Sequence, residues 1–222
     1  MSERVKIILD KNADILRLPA IALRGLVVFP GNIIHFEVGR KKSIAAIEWA
    51  MSNNNAVFLT AQQDMDVEDP GFKDLYAYGV VAEVKQVLRV SDELVKVLVE
   101  GKYRAKLLTL DSSGRFLLAS TKAAALRGTK SVDSARVEAL VRSVKEAFEE
   151  YLSLNPRLSK DVVYTIITNE DAALLCDYIP ANLLLKYTDK QALLNEGTVS
   201  GRLEKLLEIL RRETEQVLTD WP

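Results

Sequence analysis

The chain has 222 residues, 30 of them basic and 31 acidic, for a formal net charge of −1. A nucleic-acid binder draws most of its affinity from phosphate neutralisation and usually carries a basic surplus, which is absent here. One cysteine (Cys176) and one histidine (His35) exclude an intramolecular disulfide, a cysteine zinc site and a histidine metal cluster.

At 48% hydrophobic and 27% charged, the composition is that of a globular protein, long enough for one large domain or two small ones. Residues 1–14 mix charges with short apolar runs and lack the apolar core of a signal peptide. No stretch approaches the roughly 18–20 apolar residues of a membrane span. A soluble cytoplasmic protein is the expectation.

The first half reads as β-rich. Leu18–Leu23 is short, apolar and stopped by Arg24-Gly25. Leu26–Phe29 reads as a second strand, ended by Pro30-Gly31-Asn32, a turn signal because Pro presets φ while Gly and Asn tolerate positive φ. Ile33–Val38 resumes as a strand. Ser43–Met51 changes period, with Ser43 as its expected cap, and reads as one short helix. Trp49 and Met51 are expected in the core. Val57–Thr60 reads as a buried strand. Gln62–Lys73 is polar and acidic and reads as a solvated loop; the spacing of a calcium-binding loop is absent.

From Gly79 the residues Val80, Ala82, Val84, Leu88 and Val90 share one parity, the pattern of a half-buried strand. Ser91-Asp92-Glu93 turns the chain. Val95, Val97 and Val99 then alternate with Lys96 and Leu98, which completes a hairpin. Tyr103–Leu110 and Phe116–Ser120 read as a second hairpin around Asp111–Gly114. This meander of short strands predicts an antiparallel, curled sheet.

The second half reads as helical. From Ser131, apolar residues recur at Val137, Leu140, Val141, Val144, Phe148, Tyr151 and Leu152, with Asn155-Pro156 as the stop. Ser159 caps a shorter helix through Val162, Val163, Ile166 and Ile167, and Asn169–Asp171 opens another that carries Cys176. Asp189–Asn195 is a further short helix closed by Gly197. The last runs from Ser200 to Thr219 with a leucine stripe, long enough to span about 30 Å. The fold class is α+β: a β-rich, barrel-like amino-terminal subdomain over residues 1–126, then a carboxy-terminal α-helical bundle over residues 127–222. Arg127-Gly128-Thr129-Lys130 is the expected junction.

Catalytic motifs are missing. The only Gly-Lys pair, Gly101-Lys102, is followed by Tyr103, and position 96 is Lys where a phosphate-binding loop needs Gly. Neither G-x-G-x-x-G nor G-x-S-x-G occurs. His35 lies mid-strand and reads as structural or partly exposed. Cys176 lies on an apolar helix stripe and reads as a small core residue. Lys42-Ser43 is a poor geometry for a Ser-Lys dyad. Trp221, at the extreme end, reads as exposed.

The residues do resemble a family. Leu18-Pro19, Leu23-Arg24, Val27–Pro30 and Val38-Gly39-Arg40 with Ser43-Ile44 look like the opening signature of the Lon ATP-dependent proteases. Asp74-Leu75-Tyr76, Gly79–Val84 and Val95–Gly101 with Arg104-Ala105 resemble the next block. Asp177, Ile179, Leu183, Lys190-Gln191, Leu193-Leu194 and Arg202-Leu203-Glu204 are similar to the helical part. The resemblance runs over residues 15–216 and implies a compact β-barrel followed by helices. In that family the region precedes an ATPase module, which binds ATP and magnesium, and a Ser-Lys peptidase module. It helps select unfolded or damaged proteins and supports a hexamer.

No catalytic residue is carried over, because the motifs of both modules are missing. The chain is expected to be either a piece of a longer protease or a stand-alone relative, with no catalysis, cofactor, metal or membrane contact of its own. The expected contact with unfolded substrates is the turn at Val28, Phe29 and Pro30 with neighbouring Ile33. Apolar surface on the last helix is a second candidate, packed either on its own bundle or on a neighbouring subunit.

Overall fold

A computed structural model describes residues 15–128, 134–154 and 157–219. The segment 1–14, residues 129–130 of the junction, the stop at 155–156 and Trp221 lie outside the described residues. The chain divides into two compact units, Met1–Ala125 and Leu126–Pro222.

The first unit holds strands β1 (Leu16–Leu23), β2 (Ile33–Val38), β3 (Ala56–Ala61), β4 (Tyr78–Ser91), β5 (Leu94–Asp111) and β6 (Leu117–Ala123), and helix α1 (Lys41–Asn53). Strand β5 pairs with β4, β4 with β3, β3 with β1, β1 with β6, and β6 again with β5. Five strands thus close into a ring, antiparallel except for the β1–β3 pair. Strand β2 lies outside the ring. It pairs with Val95–Glu100 of β5, whereas β6 takes Ala105–Asp111 of that strand.

Closure explains the small core side chains. Ala20, Ala22, Ala56, Ala105 and Ala119 share the interior with Leu18, Phe58, Val81, Leu107 and Leu117. A five-stranded ring encloses little space, so alanines alternate with larger residues. Every residue of β3 is buried. One face of it looks into the barrel, and α1 packs on β1 and β3 from outside. This double cover is why Val57–Thr60 reads as a continuous apolar run.

Several expectations change. Leu26–Phe29 forms no strand, although Val27, Val28 and Phe29 are buried. The Asn32 N–H donates to the Phe29 carbonyl (3.1 Å), and Gly31 has φ +75°. Pro before a positive-φ Gly in a four-residue turn is the type II pattern. Helix α1 starts two residues earlier than expected. Arg40 stands at its cap position without a capping side chain, and Ser43 is buried in the first turn. Trp49 and Met51 are exposed rather than core; Trp49 meets the ring of Phe116 at 5.7 Å between centroids. The two strands expected over 95–110 are one continuous β5.

The parity of β4 breaks at Lys85, where the β4–β5 register shifts between Val84 and Gln86. A bulge adds one residue and flips every side chain beyond it. Val80, Ala82 and Val84 are therefore buried on the face opposite Val81, while Leu88 and Val90 face solvent. The acidic stretch is not wholly solvated either, because Gln62 is fully buried and its amide donates to the carbonyls of Asp64 and Val67.

The second unit holds α2 (Ser134–Leu154), α3 (Lys160–Thr168), α4 (Ala172–Asn182), α5 (Tyr187–Asn195) and α6 (Val199–Thr219). The long helices α2 and α6 pack together, with α4 against both. Val144, Phe148, Ile166, Leu175, Ile179, Leu193, Leu203, Leu206 and Leu210 form the core. The expected caps are present: the Ser159 hydroxyl accepts from the Val162 N–H, and the Asp171 carboxylate accepts from the Ala173 and Leu174 N–H groups. Gly197 is not a left-handed cap, since α5 ends on Glu196 in extended backbone. Arg202 is buried beneath this core. It pairs with Asp177 and donates to the Glu196 carbonyl (2.8 and 3.3 Å). Among the described residues, no helix is long and apolar enough to cross a membrane.

Candidate functional site

The expected contact turn is split by burial. Val28 and Phe29 are 2% and 0% exposed, so neither presents a surface to a partner. The reason is local: the Gly31 N–H donates to the Gly101 carbonyl (2.8 Å), and the Gly101 N–H donates to the Asn32 carbonyl (2.9 Å). These bonds clamp the turn onto β5 and direct the Phe29 ring inward. Pro30 is half-buried at the turn's tip. Ile33 is 63% exposed.

Ile33 belongs to a larger surface. Directly paired residues share a face of a sheet, and the pairs Ile33↔Glu100, His35↔Leu98 and Glu37↔Lys96 line the face of β2 and β5 turned away from the core. On β4, Gln86↔Leu98 and Leu88↔Lys96 extend it. Ile33, Leu88 and Leu98 thus form an apolar patch around the exposed His35, with a shallow depression of about 180 Å³ between His35, Leu88 and Leu98. The signal for this patch was Leu98, apolar on the polar parity of its strand. Leu88 was hidden by the bulge.

One end of the patch is bounded by charge. Lys85 reaches Glu83 and Glu100 at 2.8 Å each, and Lys102 reaches the same two carboxylates at 2.9 and 2.6 Å. Burial alone would raise Glu83, but hydrogen bonds from Lys85 and Lys102 outweigh it and hold the carboxyl below its ordinary value. Hydrogen bonds from Lys102 and Lys85 lower Glu100 likewise. Those same carboxylates, Glu100 first, raise Lys85.

A cleft of about 720 Å³ opens beside β2. Ile21, Leu23, Leu26, Phe36 and Val38 supply its apolar wall. Arg40 spans it, donating to the carbonyls of Ala22 (3.1 Å) and Val67 (3.2 Å) and to the Gln62 side chain. Burial, then the nearby Arg24 guanidinium, hold Arg40 below its ordinary value. Lys42 pairs with Asp69 at 3.0 Å on the rim.

The remaining titratable candidates fall apart in space. His35 is exposed on the sheet. Cys176 is fully buried in the helical unit, and burial pushes its thiol up to about 12. Among the described residues, no group of three or more His, Cys, Asp or Glu converges as a metal site would require. What the barrel unit presents is an apolar sheet face and a cleft at a strand edge, the equipment of a binding module.

Comparison with known proteins agrees. The chain matches the family described as the ATP-dependent protease La (LON) substrate-binding domain over residues 17–212. It is 38% identical over 206 residues to the Lon protease of Desulforamulus reducens, covering 93% of this chain and 25% of that protein. It is 36% identical over 203 residues to that of Escherichia coli K12, covering 91% and 26%. This chain therefore belongs to the Lon substrate-binding domain family, and it spans about a quarter of the curated relatives it matches. In fold it is similar to the N-terminal domain of Mycobacterium avium complex Lon protease, with a TM-score of 0.71 at 20% identity, covering 88% of this chain and 98% of that one. The Xanthomonas campestris Lon N-terminal domain protein gives 0.60 at 15% identity, covering 87% and 98%.

Proposed function

We propose that this chain is the non-catalytic, substrate-engaging region of a cytoplasmic, ATP-dependent Lon-type serine protease, and that it holds unfolded or damaged proteins for a separate ATPase and peptidase. The carrying observation is the apolar sheet face, where Ile33 and Leu88 are 63% and 59% exposed on either side of Leu98. Unfolded chains expose apolar segments that native proteins hide. A receptor for them needs an accessible apolar patch with modest affinity per contact.

The test is a fluorescence titration with reduced, carboxymethylated α-lactalbumin, which stays unfolded, and with the native protein as control. Saturable binding to the unfolded form alone is the expected result. Leu88→Glu, at an exposed site, should keep the fold and weaken binding several-fold. Equal binding to both forms, or to neither, removes this reading.

Support of a hexamer is a second reading, favoured by the helical unit. Tyr164, Ile167 and Leu174 on α3 and α4, and Leu184 after α4, are 70%, 41%, 40% and 86% exposed. An oligomer in sedimentation that Tyr164→Glu dissociates would support it.

A further inference from the structure

Strand β2 has an open edge. Among the described residues it pairs with β5 alone. The Gly101 N–H donates to Asn32, so the bonded pairs continue as Ile34↔Val99, Phe36↔Val97 and Val38↔Val95. Hydrogen-bonded and non-bonded pairs alternate in an antiparallel ladder. The backbone N–H and C=O groups of Ile33, His35 and Glu37 therefore point away from β5, along the free edge. The exposed side chains along this edge are Ile33, His35 and Glu37, so the edge carries neither the lysine nor the proline that commonly blocks strand addition.

What lies beyond the edge matches it. The β1–β6 ladder ends at Ala20↔Leu117. Past that point Ile21 and Leu23 of β1 face Phe36 and Val38 of β2 across the 720 Å³ cleft. A strand laid against β2 would put alternate side chains beside Ile33 and His35 on the outer face. The others would enter the cleft against Phe36, Val38 and Leu26.

We infer that the β2 edge binds an extended segment of unfolded polypeptide, apolar at alternate positions, as an added β-strand. The occupant follows from the hydrogen-bonding pattern: a row of outward backbone donors and acceptors beside an apolar cleft is complementary to another extended backbone. A folded protein, whose backbone is already paired, does not fit. This inference rests on the reading that the chain engages unfolded protein and adds where and how it does so.

The experiment uses the same unfolded α-lactalbumin. His35→Pro removes one outward N–H while leaving the β5 ladder untouched, a position where proline is tolerated. His35→Ala removes the side chain and keeps the N–H. The expected result is binding roughly ten-fold weaker for His35→Pro and within about two-fold of the unsubstituted chain for His35→Ala. Residue-resolved amide exchange serves as the second measurement, independent of whether the proline variant folds. Saturating probe should protect the amides of Ile33, His35 and Glu37.

If the unsubstituted chain binds while His35→Pro is folded and binds equally well, or the three amides gain no protection, strand addition is overturned and the broader reading stands. If the unsubstituted chain does not bind the probe, both fall. Protection of those amides that rises with protein concentration without probe would assign the edge to a second copy, and overturn the proposal too.

Discussion

A β-carbon placed on Gly101 would lie 2.2 Å from the carbonyl oxygen of Phe29. No side chain survives at that separation, so the turn and β5 are in register only because residue 101 has none. Gly101 sits at the hand-over on β5, between the stretch paired with β2 and the stretch paired with β6. Gly101→Ala should destabilise the barrel by about 1–3 kcal/mol, the usual range for overpacking. Urea unfolding followed by far-UV circular dichroism measures it. Stability equal to the unsubstituted chain would mean the turn is not clamped as described.

Phe29 and Ile33 are four residues apart and should behave oppositely. Phe29→Ala removes a fully buried ring and should cost about 3–5 kcal/mol. Ile33→Asp alters an exposed side chain, should change stability by no more than about 0.5 kcal/mol, and should weaken binding of unfolded protein. Thermal melts beside the titration separate the two. Loss of binding with unchanged stability in Phe29→Ala would reverse the assignment.

In the helical unit, Arg202 is 1% exposed and paired with Asp177. Arg202→Ala leaves a partly buried carboxylate and the Glu196 carbonyl without their donor, and should cost about 3–5 kcal/mol. Arg202→Lys should recover only part, because an ammonium cannot reach both partners as the planar guanidinium does. Denaturant midpoints of the two variants provide the comparison, and equal midpoints would argue against the fork geometry.

The charge cluster on the sheet predicts a pH dependence. Glu83 and Glu100 titrate lower folded than unfolded, so their contribution is complete above the ordinary carboxylate value of 4.5 and is lost as pH falls through their folded values. Lys85 is raised. Its contribution is complete below 10.5 and lost only as pH rises through a higher folded value. The stability gap between the unsubstituted chain and the double variant Lys85→Met, Lys102→Met should therefore be flat across neutral pH and close below about pH 4.5. It should be small, because the cluster is at the surface. A gap that persists unchanged in acid would remove the carboxylates as its source.

Much of the architecture was legible in the sequence because it depends on neighbours along the chain. Pro30-Gly31 specified its turn through φ alone. Ser159 and Asp171 announced helix starts because a short oxygen-bearing side chain satisfies an amide two or three residues on. The mixed apolar stripe of α2 and the leucine stripe of α6 encoded the helical unit through a 3.6-residue period. The order of motifs from Leu18-Pro19 to Arg202-Leu203-Glu204 pointed to the Lon family before any fold was known.

Tertiary structure decided the rest, and in each case through a partner distant in sequence. The bulge at Lys85 arises from pairing with β5, and it alone turned Leu88 from core to surface. Phe29 is apolar whether it faces water or Gly101, so only the close approach of two backbones could assign it. The free edge of β2 depends on how β5 is shared, Val95–Glu100 pairing with β2 and Ala105–Asp111 with β6, a division of one strand that no local period records.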